Sequence, residues 1–437
     1  MPSSSLKGIN GIYVPHNKNT DKHVPVEIPL PSELRIPMSM HSGTPAEPVV
    51  APGEHVLVGQ LIGAAAGRVS SPVHASVSGT VKSIDEFDPV TGKKAVSVLI
   101  AADGEQVTHK DIAPPNVTDT AEFLEAVQNS GVVGLGGAGY PTAPKLTVRE
   151  GTQLDYILIN GAECEPYITS DTRIMIDATE DVYDGACMLK KYINPGKVII
   201  CIEDNKPEAI EKLSALCEKT DGVSVHVLPS NYPQGERKVL VYNVSGRIVP
   251  EGARLTDVGC IVVNCTTVAV IAQYIKTGMP LVNRIVTVDG SAVSNPMNLV
   301  VPIGTPIREL FEFCGGLSPD VSKIIMGGPM MGSAVPSLDM PITKVINSVL
   351  AFKEKDSKPP KETACIKCGR CVHQCPMNLM PSFIEEAYAQ KNMELLDKLK
   401  VNLCIECACC AYLCPAKRPL SQVMALSKIM QWEASKR

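Results

Sequence analysis

The chain has 437 residues, a formal net charge of −5 and 4% aromatic residues. That length allows about three or four domains, and the mild acidity with so few aromatic rings excludes a basic nucleic-acid footprint or a base-stacking surface. Sixteen cysteines behind a polar start without an apolar leader point to a reducing compartment, with thiols serving metal rather than disulfides.

Residues 1–30 are rich in proline and polar side chains and read as an extended arm. Residues 31–112 alternate short Val-rich runs with Gly and Pro, the pattern of small strands and turns. Within them, residues 53–62 and 71–81 resemble the two halves of a barrel-sandwich module of the lipoyl or biotinyl type. Carrier modules of that type hang their cofactor on a hairpin lysine, and residues 53–81 contain none. The module therefore reads as structural, with His55 and His74 as packed or surface histidines.

A join at Pro114 and Pro115 leads into residues 116–280. An amphipathic helix is predicted over 120–129. The run 131–139 then holds five glycines in nine residues. With few Cβ atoms, its backbone N–H groups can approach a ligand closely; a plain flexible turn has the same composition. A strand over 155–159 ends in Asn160-Gly161-Ala162-Glu163-Cys164-Glu165-Pro166. Polar residues bunched after an apolar strand are placed for a ligand at the carboxyl edge of a sheet, although a capped helix start would also place them there. Strand–helix alternation at 197–202, 207–219 and 223–228 argues for an α/β domain with a largely parallel sheet. The most apolar stretch, 258–275, contains Asn264, Thr266, Thr267 and Gln273. It reads as a buried strand running into a helix rather than a membrane span, so the chain is expected to be soluble by itself or to sit on a membrane only through partners.

Residues 281–345 change character. Short strands over 284–288 and 299–302, a helix over 306–314 and the Gly-rich turn 327–332 predict a small β-grasp module. Residues 346–362 read as a charged, Pro-containing linker. In the last segment, 363–437, helices are expected over 382–400 and 420–432, around two copies of one cysteine spacing. Cys365, Cys368, Cys371 and Cys375 precede Pro376; Cys404, Cys407, Cys410 and Cys414 precede Pro415. Each copy is C-x2-C-x2-C-x3-C-P, the bacterial ferredoxin run, in which the fourth cysteine ligates the other cluster. Zinc sites space their cysteines as two pairs across a long gap. The spacing thus predicts one [4Fe-4S] centre on Cys365, Cys368, Cys371 and Cys414, and a second on Cys404, Cys407, Cys410 and Cys375. Gly369, Ala408 and Cys409 suit close backbone approach, and the off-register Cys409 reads as a packing thiol.

The loop Gly134-Leu-Gly-Gly-Ala-Gly-Tyr-Pro-Thr142 and the turn Asn160 to Pro166 resemble the flavin- and NADH-binding subunit of respiratory complex I, where they read G-R-G-G-A-G-F-P-T and N-A-D-E-x-E-P. Gly235-Glu236 is similar to that family's G-E-E segment and residues 264–267 to its N-V-E-T segment. Leu135 stands in place of the arginine and Ala162 in place of an acid. The module order over residues 7–432, barrel-sandwich, flavin domain, β-grasp and two ferredoxin clusters, resembles the C subunits of Rnf complexes, which pass electrons between reduced ferredoxin and NAD coupled to ion pumping.

That resemblance implies a multidomain α/β plus β fold and FMN held by Gly134, Gly136, Gly137, Ala138, Gly139 and Lys145. It implies that Asn160 and Asn264 meet the flavin, and that Gly235 and Thr267 belong to the same site. Glu163, Glu165 and Glu236 would shape the NAD(H) side. Nicotinamide moves electrons in pairs and an iron–sulfur centre moves them singly; a flavin does both, which is the chemical reason to expect one between them. Hydride transfer needs no general acid or base, so no proton-transferring residue is expected. The implied partners are the membrane subunits and the ferredoxin-side iron–sulfur subunit of the complex, with a peripheral place on the cytoplasmic face of a bacterial plasma membrane. Two other readings fit the same modules: a soluble cobalamin reductase of a bacterial microcompartment, and a non-catalytic electron carrier whose flavin fold has lost its ligand.

Overall fold

The computed structural model describes residues 11–88 and 94–436. Four strands, Val223–Leu228, Lys197–Glu203, Tyr156–Gly161 and Cys260–Asn264, form in that spatial order one sheet that is parallel throughout. Away from the edge strand Val223–Leu228, which alternates, their apolar runs are near-continuous, as both faces of a helix-covered parallel sheet demand; all five residues of Cys260–Asn264 are buried. The register sets Asn160 level with Asn264 at the carboxyl ends of adjacent strands.

The helix Thr120–Asn129 begins at Asp119, whose carboxylate accepts the Glu122 N–H, and buries Phe123, Ala126 and Val127 along one face. Helix Cys265–Thr277 starts directly on the last strand, with the Asn264 side chain accepting the Thr267 N–H and Gly278 closing it in the left-handed conformation.

The preceding module is two small antiparallel sheets. One is ordered Glu33–Pro37, Ala95–Ala102, Gly79–Phe87, His55–Val56; the other Glu47–Pro48, Leu61–Ala64, Val73–His74. His55 pairs with Asp103 at the surface and His74 is buried. The β-grasp module is a six-stranded sheet, Val26–Glu27, Met297–Pro302, Asn283–Asp289, Ser348–Lys353, Val321–Met326 and Ser333–Ala334 in spatial order. Its fully buried Lys344 donates to the carbonyls of Pro72 and Gly131 and to Ser71 Oγ, pinning three modules at one point.

Two sequence expectations change. Residues 346–353 are no linker: Ser348–Lys353 pairs with strands on both sides and buries Val349, Leu350 and Ala351. A short helix, Glu354–Ser357, follows, so the crossing to the cysteine segment is made after it. The described part of the arm, residues 11–30, is extended but not loose, and Val26–Glu27 adds a parallel edge strand to the β-grasp sheet. In the last segment, the helical stretch 382–400 is two helices, Pro381–Ala389 and Met393–Lys398, and the terminal helix is Leu420–Ser435.

Candidate functional site

Several carbonyls of the glycine loop are taken by donors around it. Gly131 O accepts from Ser71 Oγ and Lys344, Val133 O from Thr267 Oγ1, and Leu135 O from Arg284. Ala138 O accepts from Ser42 Oγ and Gly139 O from the Ser42 N–H. The Leu135 N–H donates to Thr267 Oγ1 at 3.0 Å. The N–H groups of Gly136, Gly137 and Ala138 meet no acceptor among the described residues. These three neighbouring donors, on exposed residues, are available to phosphate or flavin oxygens.

Lys145, in the short helix Thr142–Leu146 after the loop, lies against it: a Cβ on Gly134 would stand 3.4 Å from Lys145 Nζ. Among the described residues no side chain or carbonyl pairs with that ammonium, and burial, then Arg237, lowers its pKa to about 8. An anion arriving there would supply the missing counter-charge and restore the lysine's proton affinity. These unpaired donors and this unpaired cation fit FMN.

The two asparagines close the floor. Asn160 Nδ2 donates to Gly235 O at 2.8 Å and its Oδ1 takes the Ala162 N–H. Asn264 Nδ2 donates to Asp171 Oδ2 at 2.6 Å. A Cβ on Gly136 would reach within 2.6 Å of Asn264 Nδ2, and one on Gly235 would lie 3.5 Å from the Asn160 amide. Each amide keeps one N–H and one lone pair for a ligand.

The three glutamates are held by backbone. Glu163, itself at φ 48°, takes the N–H groups of Asp171 and Thr172 and so caps the helix Ser170–Asp177. Glu236 takes those of Lys238 and Val239 and caps Arg237–Ser245. Both carboxylates therefore serve helix N-termini, as the capped-helix alternative for 160–166 has it in the case of Glu163. Glu165 crosses to the β-grasp module, accepting from the Met330 and Met331 N–H groups at 3.0 and 2.9 Å. Burial outweighs these two donors and raises its pKa to about 7.

Sequence reasoning missed the supports. Asp171 holds both Asn264 and Thr266. Buried Lys206 donates to Ala162 O and pairs with Glu203. Arg284 comes from the β-grasp strand Asn283–Asp289, and Lys18 from the arm donates to the carbonyls of Glu163, Glu165 and Ile168. Most act on backbone carbonyls, which leave no signature in side-chain pattern.

The two cysteine loops share one backbone. Lys367 and Gly369 in the first, and Glu406 and Ala408 in the second, have φ of 54°, 74°, 55° and 62°. The N–H of Lys367 points at Cys365 Sγ at 3.4 Å, and that of Glu406 at Cys404 Sγ at 3.3 Å. Cys365, Cys368, Cys371 and Cys414 line one cavity of about 200 Å³. Cys404, Cys407, Cys410 and Cys375 line a narrower second one, with Cys409. Each cavity thus takes three cysteines from one loop and one from beyond the other. Among the described residues no three such side chains meet around a single ion. Cys365 and Cys368 are exposed whereas Cys375 and Cys407 are buried, so the first cavity is outer and the second inner. Cys409 packs inward, its Sγ 3.9 Å from Tyr232 O of the flavin domain. If both rings hold [4Fe-4S] clusters, anaerobic analysis will return about eight irons and eight acid-labile sulfides per chain with one acid-releasable FMN; four of each would leave only one ring in use.

Family models match in four places: an RnfC barrel-sandwich hybrid domain over residues 6–105, a Nuo51 FMN-binding domain over 127–273, an SLBB domain over 285–334 and a 4Fe-4S dicluster domain over 360–415. The C subunit of the Na(+)-translocating ferredoxin:NAD(+) oxidoreductase complex of Acetobacterium woodii is 39% identical over 387 residues, 88% of this chain and 87% of that protein. The C subunit of the proton-translocating complex of Clostridium ljungdahlii is 38% identical over 90% of this chain and 86% of its own length. Among solved structures, an NAD+-reducing [NiFe]-hydrogenase in the air-oxidised state superposes with a TM-score of 0.51 at 17% identity, over 73% of this chain and 63% of that one, a likeness of fold.

Proposed function

The chain belongs to the RnfC family, the C subunits of Rnf ion-translocating ferredoxin:NAD oxidoreductases, and from that premise we propose how its residues serve electron transfer between NAD(H) and ferredoxin. It is a peripheral electron-transfer subunit of an oxidoreductase complex, with FMN and two [4Fe-4S] clusters as cofactors and other Rnf subunits as partners. FMN, when bound, exchanges a hydride with nicotinamide and single electrons with an iron–sulfur centre. The N–H groups of Gly136, Gly137 and Ala138 receive its oxygens, Lys145 pairs with its phosphate, and Asn160 and Asn264 orient it from the strand ends. Glu163, Gly235 and Glu236 shape the neighbouring wall where NAD(H) enters, and Thr267 holds the glycine loop. The eight ring cysteines ligate the clusters in the crossed arrangement, inner to the flavin domain and outer to solvent.

The observation that carries this reading is the joining of two sites: a loop with unbonded donors, and, across the Tyr232–Cys409 contact, two cavities lined by cysteines. No helix among the described residues is long and apolar enough to cross a membrane, so attachment runs through partners, and we place the chain on the cytoplasmic face. High-salt washing of inside-out membrane vesicles is expected to release the chain while the membrane subunits stay. The released chain is expected to oxidise NADH with ferricyanide and to leave corrinoids unreduced. A chain found wholly in the soluble fraction, reducing a corrinoid without membrane subunits, would overturn the assignment in favour of a cobalamin reductase.

A further inference from the structure

The arm is engaged along its described length. Ile12 and Tyr232 exchange backbone hydrogen bonds at 2.8 and 2.9 Å. Ile12 and Val14 are buried with Tyr232, Cys407 and Cys409, and Cys164 and Met330 pack against the same group. Four residues past Val14, Lys18 Nζ donates at 2.8 Å to each of Glu163 O and Glu165 O, and also to Ile168 O. Thr20 Oγ1 meets Thr169 Oγ1 at 2.6 Å, and Asn298 and Arg173 donate to the Thr20 and Asp21 carbonyls. One short segment therefore touches the inner cysteine ring at one end and the flavin-side turn at the other.

The chemistry of Lys18 is that of a latch. An ammonium has three donors, and all three are spent on carbonyls of one turn without a carboxylate in hydrogen-bonding contact. Even half-buried, a charge held so costs desolvation, and removing it would leave the turn's carbonyls short of a donor. A segment that only covered surface would need no such group.

We infer that residues 12–18 fix the spacing between the flavin turn and the inner cluster, with Lys18 as the positioning residue. The inference rests on the proposed placement of FMN against residues 134–139 and 160–166. In the step concerned, one electron leaves the flavin side and one enters the inner cluster, and no atom moves between them. Such transfer slows exponentially with distance, so a spacing held by packing is a rate held by packing.

The test uses the full chain with its cofactors, mixed anaerobically with NADH, following flavin bleaching and the reduced-cluster EPR signal as separate traces. Lys18→Met is expected to lose the fast phase of cluster reduction. Dithionite should still develop the full signal in that variant, showing the clusters present, and Lys18→Arg should recover the fast phase. Val14→Ala, in the packed group that holds Cys407 and Cys409, should slow cluster reduction while flavin bleaching keeps its wild-type rate. That second variant carries the test if Lys18→Met fails to fold. Cluster reduction keeping pace with flavin bleaching in every folded variant would overturn the role of the strap. Failure of NADH to bleach flavin in the wild type would instead sink the flavin assignment itself.

Discussion

Gly137→Val is expected to give a folded chain with intact clusters, no bound FMN and no NADH–ferricyanide activity. A Cβ at Gly137 meets nothing within 4 Å, so the added side chain fits without a clash and projects into the open space where the proposed flavin sits. Because the carbonyls of Gly131, Val133, Leu135, Ala138 and Gly139 are already taken by Ser42, Ser71, Thr267, Arg284 and Lys344, the loop is held on both sides of Gly137. Stability should stay within about 0.5 kcal/mol of wild type, as for a substitution away from packed features. Gly136→Val separates from it. There the Cβ would lie 2.6 Å from Asn264 Nδ2 and 3.2 Å from Asn264 Cβ, so the side chain drives out an asparagine that caps helix Cys265–Thr277. Flavin should again be lost, with about 1–3 kcal/mol of destabilisation from overpacking. The measurements are flavin content after anaerobic purification and thermal unfolding of each variant. Stoichiometric FMN in Gly137→Val would mean that the open side of this loop is not where flavin sits.

These two glycines look alike in sequence, and the difference between them shows how far the sequence could be read. The parallel strands were legible because burial on both faces demands unbroken apolar runs, as in residues 260–263. The cysteine rings were legible because ligand spacing is local and the crossing of the fourth cysteine is a rule of that spacing. The strap was not. Its composition is that of a solvated arm, and Lys18 finds its acceptors on carbonyls about 145 to 150 residues away, where side-chain pattern carries no signal. Residues 348–353 were misread because the charges from Lys353 onward masked a strand whose partners lie on both sides only after folding. The acids of 160–166 and 236 carried a true signal of position at the strand ends. Their carboxylates, however, went to helix N-termini and to the Met330 and Met331 N–H groups, a choice composition cannot reveal.

Cys375→Ala and Cys414→Ala should each halve the iron, from about eight to about four per chain, yet behave oppositely towards NADH. Cys375 lies in sequence beside the first loop but lines the cavity of Cys404, Cys407 and Cys410; Cys414 lines that of Cys365, Cys368 and Cys371. Replacing Cys375 therefore removes the inner cluster. The outer cluster remains, reducible by dithionite, but is cut off from the flavin domain, which meets the ferredoxin segment through Tyr232 and Cys409 on the inner side. NADH should bleach flavin and leave that cluster oxidised. Replacing Cys414 removes the outer cluster instead. NADH should then still develop the EPR signal of the inner one, while transfer to the partner protein stops because the exposed Cys365–Cys368 loop no longer holds a centre. If ligation followed sequence neighbours, Cys375→Ala would spare the inner cluster and NADH would reduce it. The NADH-driven EPR signal, present in one variant and missing in the other, thus decides both the crossing of the ligands and the order of the centres from flavin to partner.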